Sequence, residues 1–349
     1  MNKTLTLSIL DIGPIRSNQS ASDCFSSMLE LARLGDALGY HRYWLAEHHN
    51  VAAVAASQTA SFAPVVGAST QRIRIGGCVL LAHYPPFLVA EQMGLVEACF
   101  PGRVDLGIGR STGTDWATGS LLRGGTEMKS EEAYLGDLAS LIAMNRPDGL
   151  KVMEGGRELS FKAVVSASSA ADVWILGTSS YSAAVAAELG LPYAFGYHIR
   201  AEGAKEAIGL YRERFRPSPY LAAPKVLVSV IVVVGSSDAE AERLARPQLF
   251  FMSAFRSGEP VQPQMLAEDA DRRAFPDRYS ELVRMFKRSW IIGSPDRVAD
   301  GIARLAQALD VSEIMINPVA AAFADQDVRR APNREFTIST LAEHFPQSA

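Results

Sequence analysis

The stretch RVDLGIGRSTG, Arg103 to Gly113, decides between two folds. Its glycines at 107, 109 and 113 read G-x-G-x-x-x-G, one residue off the fingerprint that opens a doubly wound dinucleotide-binding sheet. In such a sheet the fingerprint follows the first strand. Here three strand-like runs come earlier, LTLSILD, YWLA and RIRIGGCVLL, each followed by a helix-like segment. The glycine-rich turn therefore ends a fourth strand, and the fingerprint is a weak match.

Counting outward from this turn, the runs DVWILG, LPYAFGY, KVLVSVIVVVG and SEIMIN bring the strands to eight. Between them lie helical segments. DCFSSMLELARLGDALG opens near Ser22–Asp23 and closes at Gly39, SQTASFAPVVGAST is interrupted by Pro64, and SPDRVADGIARLAQALD carries proline in its first turn. Eight strands each followed by a helix predict a (β/α)₈ barrel, taken as one domain over residues 1–349. The strands are continuous apolar runs, as expected when both faces are covered. Residues Asn145–Ala171 and Phe250–Arg288 break the alternation and read either as insertions over the C-terminal mouth or as ordinary surface insertions.

Composition narrows the function. The 349 residues are 48% hydrophobic and 21% charged, with a formal net charge of −4, so nothing electrostatic calls for nucleic acid or a membrane surface. The longest β-rich apolar run, Val226 to Gly235, is about half of what a membrane helix needs. The N-terminus lacks the apolar stretch and cleavage site of a signal peptide. Cys24, Cys78 and Cys99 form no C-x-x-C pair and read as small buried residues in a reducing cytoplasm.

In barrels of this kind the chemistry sits where strands end. RYWLAEHHN, Arg42 to Asn50, puts Glu47, His48 and His49 at the end of the second strand. Adjacent strand residues face opposite ways, so one histidine faces a pocket and one is structural; a metal would be better served by H-x-H or H-E-x-x-H. Arg110 ends the fourth strand and reads as a phosphate ligand or a surface ion pair. Gly177, Thr178, Ser179, Ser180 and Ser182 open a helix after the fifth strand, suited to an anion or to simple capping. Gly76, Gly77 and Cys78 are small enough to let a flat ring lie against the third strand. Together these strand ends describe a phosphate-bearing cofactor with a planar head.

YWLAEHHN, IRIGGCVLL, AEQMGLVEACFPGRVDLGIGR, ILGTSSYSAAVAAELGLP and IIGSPDRVADGI resemble, in order, segments of the bacterial luciferase-like monooxygenases, over about residues 5–320. The likeness is greater to the single-chain luciferase-family oxidoreductases than to light-emitting luciferases. It implies a TIM barrel binding reduced FMN at its C-terminal mouth, with O₂ as co-substrate. It also implies a separate NAD(P)H-dependent flavin reductase, a homodimer formed through helices near the second and third strands (the apolar stretch VAAVAASQTASFAPVV), and a cytoplasmic location. One oxygen atom would pass through a C4a-(hydro)peroxyflavin to a small organic substrate, in the manner of secondary metabolism. Hydride transfer with a deazaflavin, and flavin binding without turnover, are the alternatives.

By the same resemblance His48 and Glu47 are the catalytic residues. Gly77, Cys78, Arg110, Thr112, Gly177, Thr178, Ser179 and Ser182 bind the cofactor, with Thr178 replacing an acidic residue and no metal involved. The Gly77–Cys78 segment is one that often carries a strained cis peptide in the family. Gly109 replaces a reactive cysteine, and Phe250–Arg288 corresponds to a mobile loop shielding the site.

Overall fold

The computed structural model describes residues 5–163 and 167–347. Its strands are β1 (Thr6–Asp11), β2 (Arg42–Leu45), β3 (Arg74–Leu80), β4 (Val104–Gly109), β5 (Leu150–Glu154), β6 (Arg157–Phe161), β7 (Asp172–Gly177), β8 (Tyr193–Phe195), β9 (Val226–Val234), β10 (Ile291–Gly293) and β11 (Glu313–Pro318). β1, β2, β3, β4, β7, β8, β9 and β11 are parallel, and pairing of β8 with β9 closes them into a barrel. The fold is the (β/α)₈ TIM barrel that the alternation of runs predicts. β9 is buried along all nine residues and β4 along all six, which is why their sequences show no polar face. Among the described residues no helix is long and apolar enough to cross a membrane.

Local chemistry sets the element boundaries. The first helix, Ala21–Ala37, starts earlier than its sequence signal: Ser20 caps it, and Asp23 returns the bond to the Ser20 backbone in a capping box. The second, Thr59–Ser69, runs through Pro64 without a break, held to the barrel by buried Ala63, Val66 and Gly67.

The N-terminal end of the barrel is plugged by charge. Side chains from β1, β2, β4 and β11 meet across the interior. Arg42, fully buried, donates to Asp105 Oδ2 (2.7 Å) and Glu313 Oε1 (2.6 Å). Ser8 donates to Glu313 (2.7 Å), Trp44 Nε1 to Asp105 (2.8 Å), and Arg74 reaches the other Asp105 oxygen (2.7 Å). The Arg42 guanidinium also lies 4.6 Å from the Trp174 ring. Burial alone would raise both carboxyl groups; the guanidinium groups more than reverse this and hold Asp105 and Glu313 below the usual range.

The two irregular segments, read as insertions over the mouth or as surface insertions, both carry secondary structure. Asn145–Ala171, of which residues 164–166 lie outside the described residues, contains the antiparallel hairpin β5–β6. It leaves the lower end of the helix Glu131–Met144 and leads to the start of β7, with Phe161 edge-on to Phe87 on the outer wall. It does not cover the mouth. Phe250–Arg288 is helical, comprising the end of helix Asp238–Arg256, the short helix Ala267–Asp271 and most of Ser280–Ser289. Phe250, Ala270 and Tyr279 form a small core of their own, and Ala267 N–H bonds Ala322 O (3.0 Å). The covering insertion is instead the connection after β4. Asn50 Nδ2 bonds Thr118 Oγ1 (3.0 Å), Thr114 Oγ1 donates to His49 O (2.8 Å), and His83 Nε2 lies 2.7 Å from Thr112 O.

Candidate active site

A cavity of about 640 Å³ opens at the C-terminal ends of the barrel strands. Such a volume suits a cofactor-sized ligand. Leu10, Trp44, Leu227 and Met315 are among the side chains at its inner wall; Arg110, Ser111 and Thr112 come from the segment after β4, and Thr178, Ser179 and Tyr181 from the segment after β7. No residue of the hairpin or of 250–288 lines it; the latter segment reaches its edge through Arg256, whose Nη2 donates to the carbonyl of the lining residue Ile199 (2.6 Å).

Glu47 and His48 line the cavity, and His49 does not. β2 ends at Leu45, so strand alternation does not separate the two rings; loop bonds do. Glu47, buried, accepts from His49 Nε2 (2.8 Å), Tyr84 OH (2.6 Å) and Leu80 N–H (3.2 Å), which pins His49 away from the pocket. His48 has only a long contact, 3.4 Å, from Nδ1 to the Gly113 carbonyl. A carbonyl only accepts, so this contact suits the tautomer with the proton on Nδ1, which leaves Nε2 as a base. Burial lowers the His48 pKa, opposed by that carbonyl, so the ring is neutral near pH 7.

Arg110 stands at the rim with its guanidinium 5.0 Å from the Tyr181 ring and Nη1 3.7 Å from Glu131. It makes the loose ion pair of one reading while lining the cavity, where a phosphate could reach it. The helix Ser180–Glu188 begins beside it. In the hydroxyl cluster Ser179 and Ser182 cap the helix reciprocally, the capping reading, and Ser182 Oγ also donates to Ser179 O (2.9 Å). Both residues also line the cavity. Thr178 Oγ1 has no hydrogen bond among the described residues, and the first-turn N–H groups lack helical partners by geometry. Gly177 is obligatory, since a Cβ there would sit 2.0 Å from Ser182 Oγ. Thr112 lines the rim, its hydroxyl turned to Thr114 O (3.1 Å).

Gly77 requires correction. A Cβ on it would meet Leu45 O at 2.1 Å, and one on Gly76 would meet Asp105 O at 1.9 Å, both with φ near +145° (+143° and +145°). These glycines let β2, β3 and β4 approach one another; only Cys78 of this trio lines the cavity. No cis peptide occurs among the described residues. Burial raises the Cys78 thiol far above its usual value, so it is no nucleophile. A Cβ at Gly109 would lie 3.5 Å from Cys78 Sγ, so these two residues form one flat patch of wall. Cys24 is buried, whereas Cys99 is exposed, against expectation.

His198 escaped sequence reading. It follows the three-residue β8, its Nδ1 lies 2.6 Å from Ser229 Oγ, and its ring lines the same cavity. Burial, with the nearby His48, lowers its pKa to about 4. Tyr134, Tyr181 and Ser229 are further lining residues that no local pattern marks. Among the described residues no group of three or more His, Cys, Asp or Glu is placed to hold a metal.

The profile of the luciferase-like monooxygenases matches residues 6–312, and the chain belongs to that family. It is 33% identical to a luciferase-like monooxygenase of Escherichia coli (strain K12) over 318 residues, 90% of this chain and 92% of that protein. The solved structure of apo-MsnO8 matches with a TM-score of 0.85 at 30% identity, covering 99% of both chains. The oxygenating constituent of 3,6-diketocamphane monooxygenase from Pseudomonas putida, a type II Baeyer–Villiger enzyme in complex with FMN, matches at 0.70 over 98% of both chains; at 16% identity it shares the fold alone. The chain is thus an enzyme, a flavin-dependent monooxygenase of the luciferase-like class.

Proposed function

We propose that this monooxygenase takes reduced FMN from a separate NAD(P)H-dependent reductase and places one atom of O₂ on a small organic substrate inside the barrel mouth. The observation carrying this reading is the juxtaposition of Arg110 with the first turn of helix Ser180–Glu188 at the rim of a largely apolar cavity. The donor set fits a phosphate: a guanidinium, the free Thr178 hydroxyl and unpaired helix N–H groups. The wall of Ala46, Cys78, Leu80 and Gly109 fits a flat ring.

When bound, reduced flavin supplies the electrons that activate O₂. The chain's own residues do the rest. The rim orients the phosphate, the apolar wall excludes water, and His48 Nε2 takes and returns a proton beside the reacting centre. Glu47 acts through its bonds to His49 and the Leu80 amide, which fix the loop carrying His48.

The test is turnover with reduced FMN and ¹⁸O₂ against a panel of neutral organic acceptors. A product with one labelled oxygen supports the reading; turnover that continues without oxygen supports hydride transfer instead. For the rim, Arg110→Ala should weaken FMN binding by on the order of 1–3 kcal/mol. Glu131→Gln should tighten it slightly, because the carboxylate competes for the same guanidinium. Unchanged affinity in Arg110→Ala would remove the phosphate assignment.

The homodimer belongs to the same proposal. Val65, Phe87, Leu88 and Leu95 are 37–52% exposed on helices Thr59–Ser69 and Pro86–Cys99, the faces a partner copy would cover. Light scattering should give twice the chain mass at micromolar concentration; a monomer there would refute it. A cytoplasmic location fits the three free thiols, and fractionation of the native cell checks it.

A further inference from the structure

We infer that His198, oriented by Ser229, is the residue that selects the organic substrate, accepting a hydrogen bond through Nε2 from a hydroxyl or N–H group on an otherwise neutral, apolar molecule. This rests on the cavity being the oxygenation site. The ring is fixed from two sides. The His198 backbone N–H donates to Ser229 O (2.9 Å), and Nδ1 lies 2.6 Å from Ser229 Oγ, which has Phe195 O as its own acceptor at 3.3 Å. One arrangement satisfies both bonds: Nδ1–H donates to Oγ, and O–H donates to the carbonyl. That leaves Nε2 without a proton. It has no protein partner among the described residues, and the ring lines the cavity.

The surroundings define what it meets. Gly196 makes room: a Cβ there would be 3.1 Å from Thr178 Cγ2 and 3.7 Å from His198 Cε1. The nearby inner wall is Leu10, Ala194, Leu227 and Met315. Of the charged groups lining the cavity, Arg110 is at the rim and Glu47 is saturated by three protein donors. A charged substrate would find no free counter-charge in the interior. A buried acceptor instead favours a ligand that donates to it, and penalises one that leaves it unpaired.

The experiment uses flavin-free and FMN-loaded protein, labelled with ¹⁵N at histidine. Long-range ¹H–¹⁵N spectra between about pH 5 and pH 8 should show His198 neutral and protonated at Nδ1 throughout. Adding decanol should shift the Nε2 signal. Decanol should bind about tenfold more weakly to His198→Ala, the scale of one hydrogen bond, while decanal, which lacks the donor, binds both proteins alike. His198→Gln should recover part of the loss, and Ser229→Ala should show a mixed tautomer. Unchanged signals from the remaining histidines report intact folding. An Nε2–H tautomer, equal decanol affinity in His198→Ala, or no decanol binding to the wild type would overturn the inference. Failure of FMN to bind would count against the flavin reading, and the flavin-free titration would still decide on His198.

Discussion

Replacing His48 by alanine should lower coupled oxygenation at least about tenfold, and as much as the roughly 10²–10⁴ that general acid–base help supplies. FMN affinity should change little, because the His48 ring makes its one contact with the Gly113 carbonyl and none with the Arg110 rim set proposed for the phosphate. The ring faces the cavity, is neutral, and has one nitrogen free. His49→Ala should behave differently. It removes a 2.8 Å bond to a buried carboxylate, so about 1–3 kcal/mol of stability is lost, with activity falling only as far as the loop loosens. Product yield per flavin oxidised, read beside a urea melt, separates the two. An inactive, stable His49→Ala beside a normal His48→Ala would exchange their roles.

Arg42→Met should be the most destabilising single change in the barrel, by about 3–5 kcal/mol, the cost of stranding buried charge. It leaves Asp105 and Glu313 without the guanidinium between them; Asp105 keeps a second guanidinium, Arg74, whereas Glu313 keeps only the neutral Ser8 hydroxyl. The urea midpoint should fall accordingly; a shift under about 1 kcal/mol would show that the network relaxes or takes in water. The same network sets the acid limit. Both carboxyl groups have folded pKa values below their unfolded ones. Their stabilisation is therefore complete above the ordinary carboxylate range and is lost as pH falls through the lower, folded values. Wild-type stability should drop steeply below about pH 4, and the Arg42→Met variant should show a shallower decline from a lower start.

The barrel was legible because its strands are apolar on both faces and its helices punctuate them, so period and length sufficed. The hairpin was missed although it had a signal. Gly155–Gly156, with φ of +55° and +79°, is the turn favoured between two-residue-linked strands; the charged, exposed flanks hid it. At the site, residue type was readable and partner was not. Ser179 and Ser182 suit an anion or a helix cap in one dimension, and in three they form a capping box. Gly77 looks like ring-binding space and serves strand approach. His198 depends on Ser229, 31 positions away, and no window of sequence joins them.

Trp44 belongs to both ends of the barrel: its ring is part of the cavity floor and its Nε1 is bonded to Asp105. Most pairs of changes, one at the rim and one in the ionic plug, should therefore combine additively, as separate sites do. Trp44 is where epistasis should concentrate. Variants that reshape the floor for a bulkier ligand through this residue would also withdraw a donor from the plug, so that a search for new specificity meets its stability penalty there and not at Ala194, Val185 or Ile199.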